Sequence, residues 1–184
     1  MSATHARPEL RPNLEPDAGR TDATSRFAAR SLAALRIAFG LTFLWPFFDK
    51  LFGLGYATPE ERAWINGGDP TAGFLKGSEG PFDSFYHSLV GDWWVTPLFM
   101  IGLAGIGLAL TLGIGMRIAA AAGTLLYLMM WSAALPPENN PVLDDHILGA
   151  LTLIALAATA AGNTWGFGRM WSGLSIVRRY SFLR

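Results

Sequence analysis

Three stretches of this chain carry no charged residue for a length that matters: 24 residues between Asp92 and Arg117, 20 between Arg117 and Glu138, and 22 between His146 and Arg169. A helix crossing the hydrocarbon core of a bilayer needs about 20 mostly apolar residues. Each run is long enough. One soluble core helix can be as apolar, but three in tandem on short linkers cannot all be covered by the polar surface that a 184-residue chain has left. The chain therefore reads as an integral membrane protein in contact with a lipid bilayer.

The first span is interrupted. Only 12 uncharged residues separate Arg36 from Asp49. Taken as 32–54, the segment is long enough if Arg36 snorkels to one interface and Asp49 and Lys50 lie near the other. An odd number of spans would also put the two basic ends of the chain on opposite sides. Four spans are therefore expected, at 32–54, 95–115, 117–136 and 145–163. Short links between the last three force antiparallel neighbours, so the expected fold class is all-α, an integral membrane antiparallel four-helix bundle. Residues 1–30 read as a disordered cytoplasmic tail, 31–164 as the transmembrane domain, and 165–184 as a basic segment at the inner surface. The tail has no apolar h-region, so it does not read as a cleaved signal peptide.

Orientation follows from the basic residues. Of 12 arginines, all but Arg62 fall on the side of the two termini, against Arg62, Lys50 and Lys76 on the other. Without the distant Arg7 and Arg11 the ratio is still 9 to 3. This excess places both termini in the cytoplasm. The formal net charge is zero, so no global field recruits nucleic acid. There is no cysteine, which removes thiol chemistry, disulfides and cysteine-ligated iron–sulfur or zinc centres from this chain.

The long outer connection, 55–93, is rich in aromatics. Within Pro81–Gly91, Phe82, Phe85, Tyr86 and Leu89 recur at helical spacing, which predicts a short interfacial helix over the mouth of the bundle. In the second span Gly105, Ala109 and Gly113 recur every four residues, with Gly102 nearby, and predict close helix–helix approach.

Candidate chemistry gathers at the outer ends of spans one and four. Thr42, Trp45, Asp49 and Phe52 are spaced for one helix face, and Pro46 among them frees the carbonyl at Thr42 and opens space. Asp49 is the most embedded acid and Lys50 follows it. They are either functional groups or markers of the interface. Span four opens Asp144-Asp145-His146. One acid is expected to cap the helix, and His146 beside a carboxylate can exchange a proton near neutral pH. From Asp145, the residues Gly149, Thr152, Thr159 and Asn163 form a sparse polar stripe expected to face the interior. Tyr127 and Trp131, one turn apart, and Trp45 are candidates to hold a flat ring, or else ordinary interfacial aromatics. No metal site is assigned, because His146, Asp144, Asp145 and Glu138 converge poorly from one helix start. No histidine sits deep in a span to hold haem, and no nucleotide fingerprint is present.

From Ser31 to Trp171 the chain resembles the DoxX/DoxD family of four-helix membrane proteins. The resemblance rests on Arg36-Ile37-Ala38-Phe39-Gly40 and on Asp49-Lys50-Leu51-Phe52-Gly53-Leu54-Gly55. It rests also on Ala63-Trp64-Ile65-Asn66-Gly67-Gly68-Asp69-Pro70-Thr71 with Gly73-Phe74-Leu75, on Asn140 to Leu151, and on Gly166-Phe167-Gly168-Arg169. It implies a bacterial plasma-membrane subunit of a thiosulfate:quinone oxidoreductase, joining two thiosulfates to tetrathionate and passing electrons to quinone. The resemblance transfers no catalytic set; by position and chemistry Asp49, Lys50, Asp144, Asp145 and His146 are the candidate catalytic residues, and Trp45, Tyr127 and Trp131 the candidate quinone contacts. The alternatives are a non-catalytic scaffold for a partner redox enzyme, whether in a hetero-complex or a homo-oligomer, and a small proton-coupled transporter using Asp49.

Overall fold

The structure, a computed structural model, describes residues 18–137, 140 and 142–184. Residues 1–17 of the expected tail, with Arg7 and Arg11 of the charge count, lie outside the described residues, as do Glu138, Asn139 and Pro141 of the third link. Helix α1 (Ala18–Phe52) leads into a long connection holding two 3-10 turns and the short helices α2 (Ala72–Lys76) and α3 (Asp83–Ser88). Then follow α4 (Val95–Leu112), α5 (Met116–Ala133) and α6 (Asp145–Ala158), and the short α7 (Gly168–Gly173) and α8 (Ser175–Arg179). No strand occurs among the described residues.

Among the described residues three helices are long and apolar enough to cross a membrane: α1 from Asp22 onward, α4 and α5. The expected fourth span, 145–163, is helical only to Ala158, which is 14 residues. At 1.5 Å per residue that is about 21 Å, short of the roughly 30 Å hydrocarbon core. The helix stops because Ala160 turns left-handed, at φ 51°, into the 3-10 turn Ala161–Asn163.

At the other extreme α1 is longer than expected. Residues 18–30, assigned above to a disordered tail, are its first turns. No proline interrupts the helix before Pro46, and alanine and arginine are frequent in its first half. Such residues propagate a helix cheaply once its apolar part is held by packing. Residues 22–28 are all exposed, and packing begins at Leu32 and Ala33.

Glycine sets the close contacts, and of the positions the four-residue spacing suggested Gly113 is one of them while Gly105 is not. A Cβ on Gly105 or Gly102 would meet nothing within 4 Å. Gly107, two residues and about 200° further round the helix, is the one pressed on α1, where a Cβ would lie 2.7 Å from the Leu44 side chain. Gly40 of α1 faces Thr111 of α4 in the same seam. Numbers rise on one helix as they fall on the other. The α5–α6 seam repeats this pattern, with Gly123 against Leu153 and Gly149 against the Tyr127 ring. Phe43, Ile106, Leu110, Leu153 and Leu156 fill the space between.

Arg36, expected to snorkel to an interface, is instead fully buried. Its Nη2 donates to the Trp165 carbonyl at 2.8 Å, while Nε and Nη1 have no partner among the described residues. A Cβ at Gly113 or Gly166 would strike Nη1, so both glycines make room for the guanidinium. Gly113 also ends α4 in a left-handed conformation, φ 73°. The cation thus sits by the carbonyl end of α4, where the helix dipole is negative. Nearby, Arg117 holds the chain's last turn through the Arg184 and Ser181 carbonyls.

At the opposite end the connection folds over the bundle. The helix expected within Pro81–Gly91 is α3, but its four aromatic and leucine positions do not share one environment. Tyr86 is buried, whereas Phe82 and Phe85 are about half exposed (49% and 54%). The reason is the phenol. A buried hydroxyl needs a partner, and Tyr86 Oη finds the Met129 carbonyl at 2.8 Å and Ser132 Oγ at 2.5 Å on α5. Helix α2 has no counterpart among the sequence expectations, and its Leu75 packs beside Tyr86 and Ala133.

Candidate functional site

Between α1, α4 and α5, roofed by residues of α2 and α3, lies a cavity of about 450 Å³. That is the size of a small-molecule site. Its walls are mainly apolar, with Phe43, Ile106 and Met130 among them, and Pro46 lines it where the sequence expected proline to open space. Lys50 is the one charged side chain among the lining residues. It is half-buried and has no hydrogen-bond or ion-pair partner among the described residues.

Asp49 is not part of this cavity. It is 1% exposed, and its Oδ1 and Oδ2 accept the backbone N–H groups of Tyr56 (3.2 Å) and Ala57 (3.1 Å). The embedded acid is therefore an anchor for the start of the loop. The face expected to carry Thr42, Trp45, Asp49 and Phe52 together is split. Thr42 lines the cavity and Asp49 is buried, while Trp45 and Phe52 are exposed. Trp45 lies edge-on against Tyr56 at 5.0 Å, outside the cavity. Trp131 is also outside it, donating from Nε1 to the Val142 carbonyl at 3.0 Å. Of the three candidate ring contacts only Tyr127 lines the cavity, packed edge-to-face on Phe43 at 5.3 Å.

The two acids at the head of α6 divide clearly. Asp144 is the cap, its Oδ1 accepting from the His146 and Ile147 N–H groups at 3.0 and 3.1 Å. The same carboxylate binds His146 Nδ1 through Oδ2 at 2.6 Å. Asp145 is exposed and takes no part. The His146 ring in turn meets the Tyr127 ring, with centroids 6.1 Å apart. Asp144, His146 and Tyr127 thus run in a row from the helix start to the cavity wall. The polar stripe expected inward along α6 does not continue this row. Thr152 and Thr159 bond back to their own helix at Leu148 and Ala155, and Asn163 is exposed. Gly149, Ala150, Leu153 and Leu156 form the buried face.

One structural acid escaped the sequence reading. Asp69 Oδ1 accepts from Thr71 N (3.0 Å), Thr71 Oγ1 (2.7 Å), Ala72 N (3.1 Å) and Thr96 Oγ1 (2.7 Å). The string Asp69-Pro70-Thr71 is a turn-and-cap signal by itself. Its partner Thr96, 27 residues on, is not readable from spacing. Asp49 to the loop start, Asp69 to α4 and Tyr86 to α5 are three polar ties that hold the roof over the cavity.

Burial alone would raise the pKa of Asp144, but the bonds from His146 and the Ile147 N–H outweigh it and hold the carboxyl below the ordinary carboxylate range. At Asp69, too, burial is outweighed by the bonds from Thr96 and Thr71. An acid with a lowered folded pKa contributes stability that is complete above its unfolded value, about 3.9, and is lost as pH falls through the folded value. Asp144→Ala is therefore expected to cost about 1 kcal/mol at pH 7, the worth of an N-cap. The gap to the unaltered chain should shrink as pH is taken below about 4. Thermal unfolding in detergent at both pH values checks this.

Among the described residues no three His, Asp or Glu side chains gather to hold a metal ion. No protein-family model, curated protein or solved structure matches the chain. Fold and site together define an all-helical protein with membrane-length helices and a single-lysine apolar cavity.

Proposed function

We propose that the chain is a multi-pass protein of the bacterial plasma membrane, an antiparallel four-helix bundle with both termini cytoplasmic, that serves as a DoxX/DoxD-like quinone-linked oxidoreductase subunit. The observation that carries the reading is the cavity between α1, α4 and α5, with Tyr127 in its wall and the His146–Asp144 pair behind that ring. For α6 to serve as the fourth span, the 3-10 turn and the segment after it complete the crossing. The arginines near the α4–α5 turn and the chain end, Arg117, Arg169, Arg178, Arg179 and Arg184, favour that end as the cytoplasmic one.

Quinone, when bound, supplies a two-electron, two-proton acceptor. The residues fit such a group: apolar walls suit its tail, and Tyr127 offers a ring edge, with its hydroxyl beside that of Thr42, which also lines the cavity. His146, held by Asp144 through Nδ1, is the titratable ring packed against Tyr127, and its second nitrogen is the atom left to take up or release a proton. Two thiosulfates joined to tetrathionate release two electrons and no proton, so protons must come through the protein or from water. The connection is acidic as a whole, with Glu60, Glu61, Asp69, Glu79, Asp83 and Asp92 against Arg62 and Lys76, so a small anion would have to be met at one of those two exposed cations and not by the field of the loop.

The test is reduction of a short-tailed quinone by the purified chain, with thiosulfate and a panel of reduced sulfur compounds. Thiosulfate-dependent reduction that falls in His146→Ala is expected. Absence of any sulfur-dependent reduction, with no change in His146→Ala cells, would sink the reading. A second reading, a scaffold docking a partner redox enzyme, is favoured by one observation: the connection exposes Tyr56 (78%), Ile65 (62%) and Trp93 (86%). A co-purifying redox partner lost in Ile65→Ser with Trp93→Ser would support it, and a solitary chain in gentle detergent would count against it.

A further inference from the structure

We infer that the cavity takes an amphiphile with a negatively charged head, and that Lys50 is the residue that selects the charge. The inference rests on the reading that the cavity is a ligand site within the membrane, and it goes beyond quinone as such. The chemistry it names, one anionic oxygen group on an apolar body, is shared by ionised hydroxyquinones and by fatty acids.

Charge complementarity is the first argument. Lys50 is the one charged side chain lining a mainly apolar cavity, and no carboxylate of a described residue lies within 4.0 Å of it. The adjacent Asp49 is held by the amides of Tyr56 and Ala57, turned to the loop. Asp49 acts on Lys50 through space as a neighbouring charge, but no carboxylate bonds the ammonium, so its three donors are left for a head group. The other hydroxyls near the roof are already engaged. Thr71 bonds Asp69 and Thr96, and Tyr86 bonds Met129 and Ser132. Lys50 is thus the strong donor left for a head group.

Position is the second. Lys50 lies two residues before the end of α1, beneath the roof. Phe43, seven residues earlier on the same helix, marks the depth of the wall, about 10 Å at 1.5 Å per residue. Head at the roof and tail toward Phe43 and Ile106 is the arrangement a polar head and an apolar tail would take. The rim includes Leu98 and Leu125, each 61% exposed, an apolar flank through which a tail can enter from lipid.

The test is binding, measured by calorimetry on the full chain in lipid nanodiscs against empty nanodiscs. Two matched pairs serve as probes: an alkyl hydroxynaphthoquinone with its methyl ether, and laurate with methyl laurate. In the unaltered chain the ionised member of a pair is expected to bind about tenfold or more tighter, as a charge-assisted hydrogen bond implies. Lys50→Met should bring that ratio to about one while the neutral member still binds, and Lys50→Arg should keep it. Gly102→Leu, whose side chain starts in open space at the cavity wall, should weaken every ligand that binds. Equal affinities within any pair that binds, or a preference that survives Lys50→Met, would overturn the inference. If laurate is preferred and neither quinone binds, the quinone reading fails while this one stands. If the methyl ether binds as tightly as the acid, this one fails and the quinone reading stands.

Discussion

Asp49→Ala is expected to release the start of the loop from α1 and to destabilise the protein by about 3–6 kcal/mol. The figure follows from two hydrogen bonds to a charged acceptor, each worth about 1.5–3 kcal/mol, whose N–H groups would be left without a partner. Tyr56 and Ala57 are those donors, at 3.2 and 3.1 Å. Their loss should appear as faster protease cleavage between residues 54 and 60, together with a lower unfolding temperature in detergent. Asp49→Asn, which keeps one acceptor oxygen, should fall between. The structure gives Asp49 an anchoring role, each of its oxygens accepting one amide of the loop. A variant with full loop protection and normal stability, but no activity, would show that the anchoring account is wrong.

Gly107→Val is the second large effect. Its Cβ would lie 2.7 Å from Leu44 Cγ and 3.0 Å from the Leu44 backbone nitrogen. A side chain can rotate away, but the backbone of α1 cannot, so α1 and α4 must separate. Overpacking of this kind costs about 1–3 kcal/mol and sometimes more. Separation here would also disturb Phe43 and Ile106, which line the cavity. Gly105→Val is the control: nothing lies within 4 Å of its Cβ, and a change within about 0.5 kcal/mol is expected. Size-exclusion profiles and thermal unfolding of the pair decide it. If Gly105→Val is the more damaging, the seam has been assigned to the wrong face.

These two cases show where reading from residues reached its limit. The four-residue spacing of Gly105, Ala109 and Gly113 is a true pattern on the helix, and Gly113 is pressed on Arg36 and Gly162, yet the helix-to-helix contact with Leu44 falls on Gly107 and Gly105 stays open, because the face that meets α1 depends on how the whole helix is rotated. Asp49 stands out in the sequence as an embedded acid, and it is buried. What it does depends on two amide groups seven and eight residues away, in a loop whose path no local rule supplies. Arg36 shows the same limit. A lone arginine near a helix end reads as a snorkelling side chain, but the glycines at 113 and 166 admit it to the interior. The head of α6 is set by local contacts. An acid cap and a histidine partner were both legible, since capping and the bond to His146 span only two or three residues.

Three charge-free runs by themselves determined that this chain is helical and of membrane character, because a bilayer-length apolar segment can satisfy its backbone only within itself. Pattern alone also marked Pro46, Lys50, Tyr127 and the Asp144–His146 start as places of interest. Only the tertiary structure decided that Lys50 and Tyr127 share a cavity, that Asp49, Trp45 and Trp131 do not enter it, and that α6 ends after 14 residues. The physical reason is range. Hydropathy and capping act over one to a few turns, whereas a cavity is made by helix rotation and by ties such as Asp69 to Thr96 and Tyr86 to Met129, which join residues 27 and 43 positions apart.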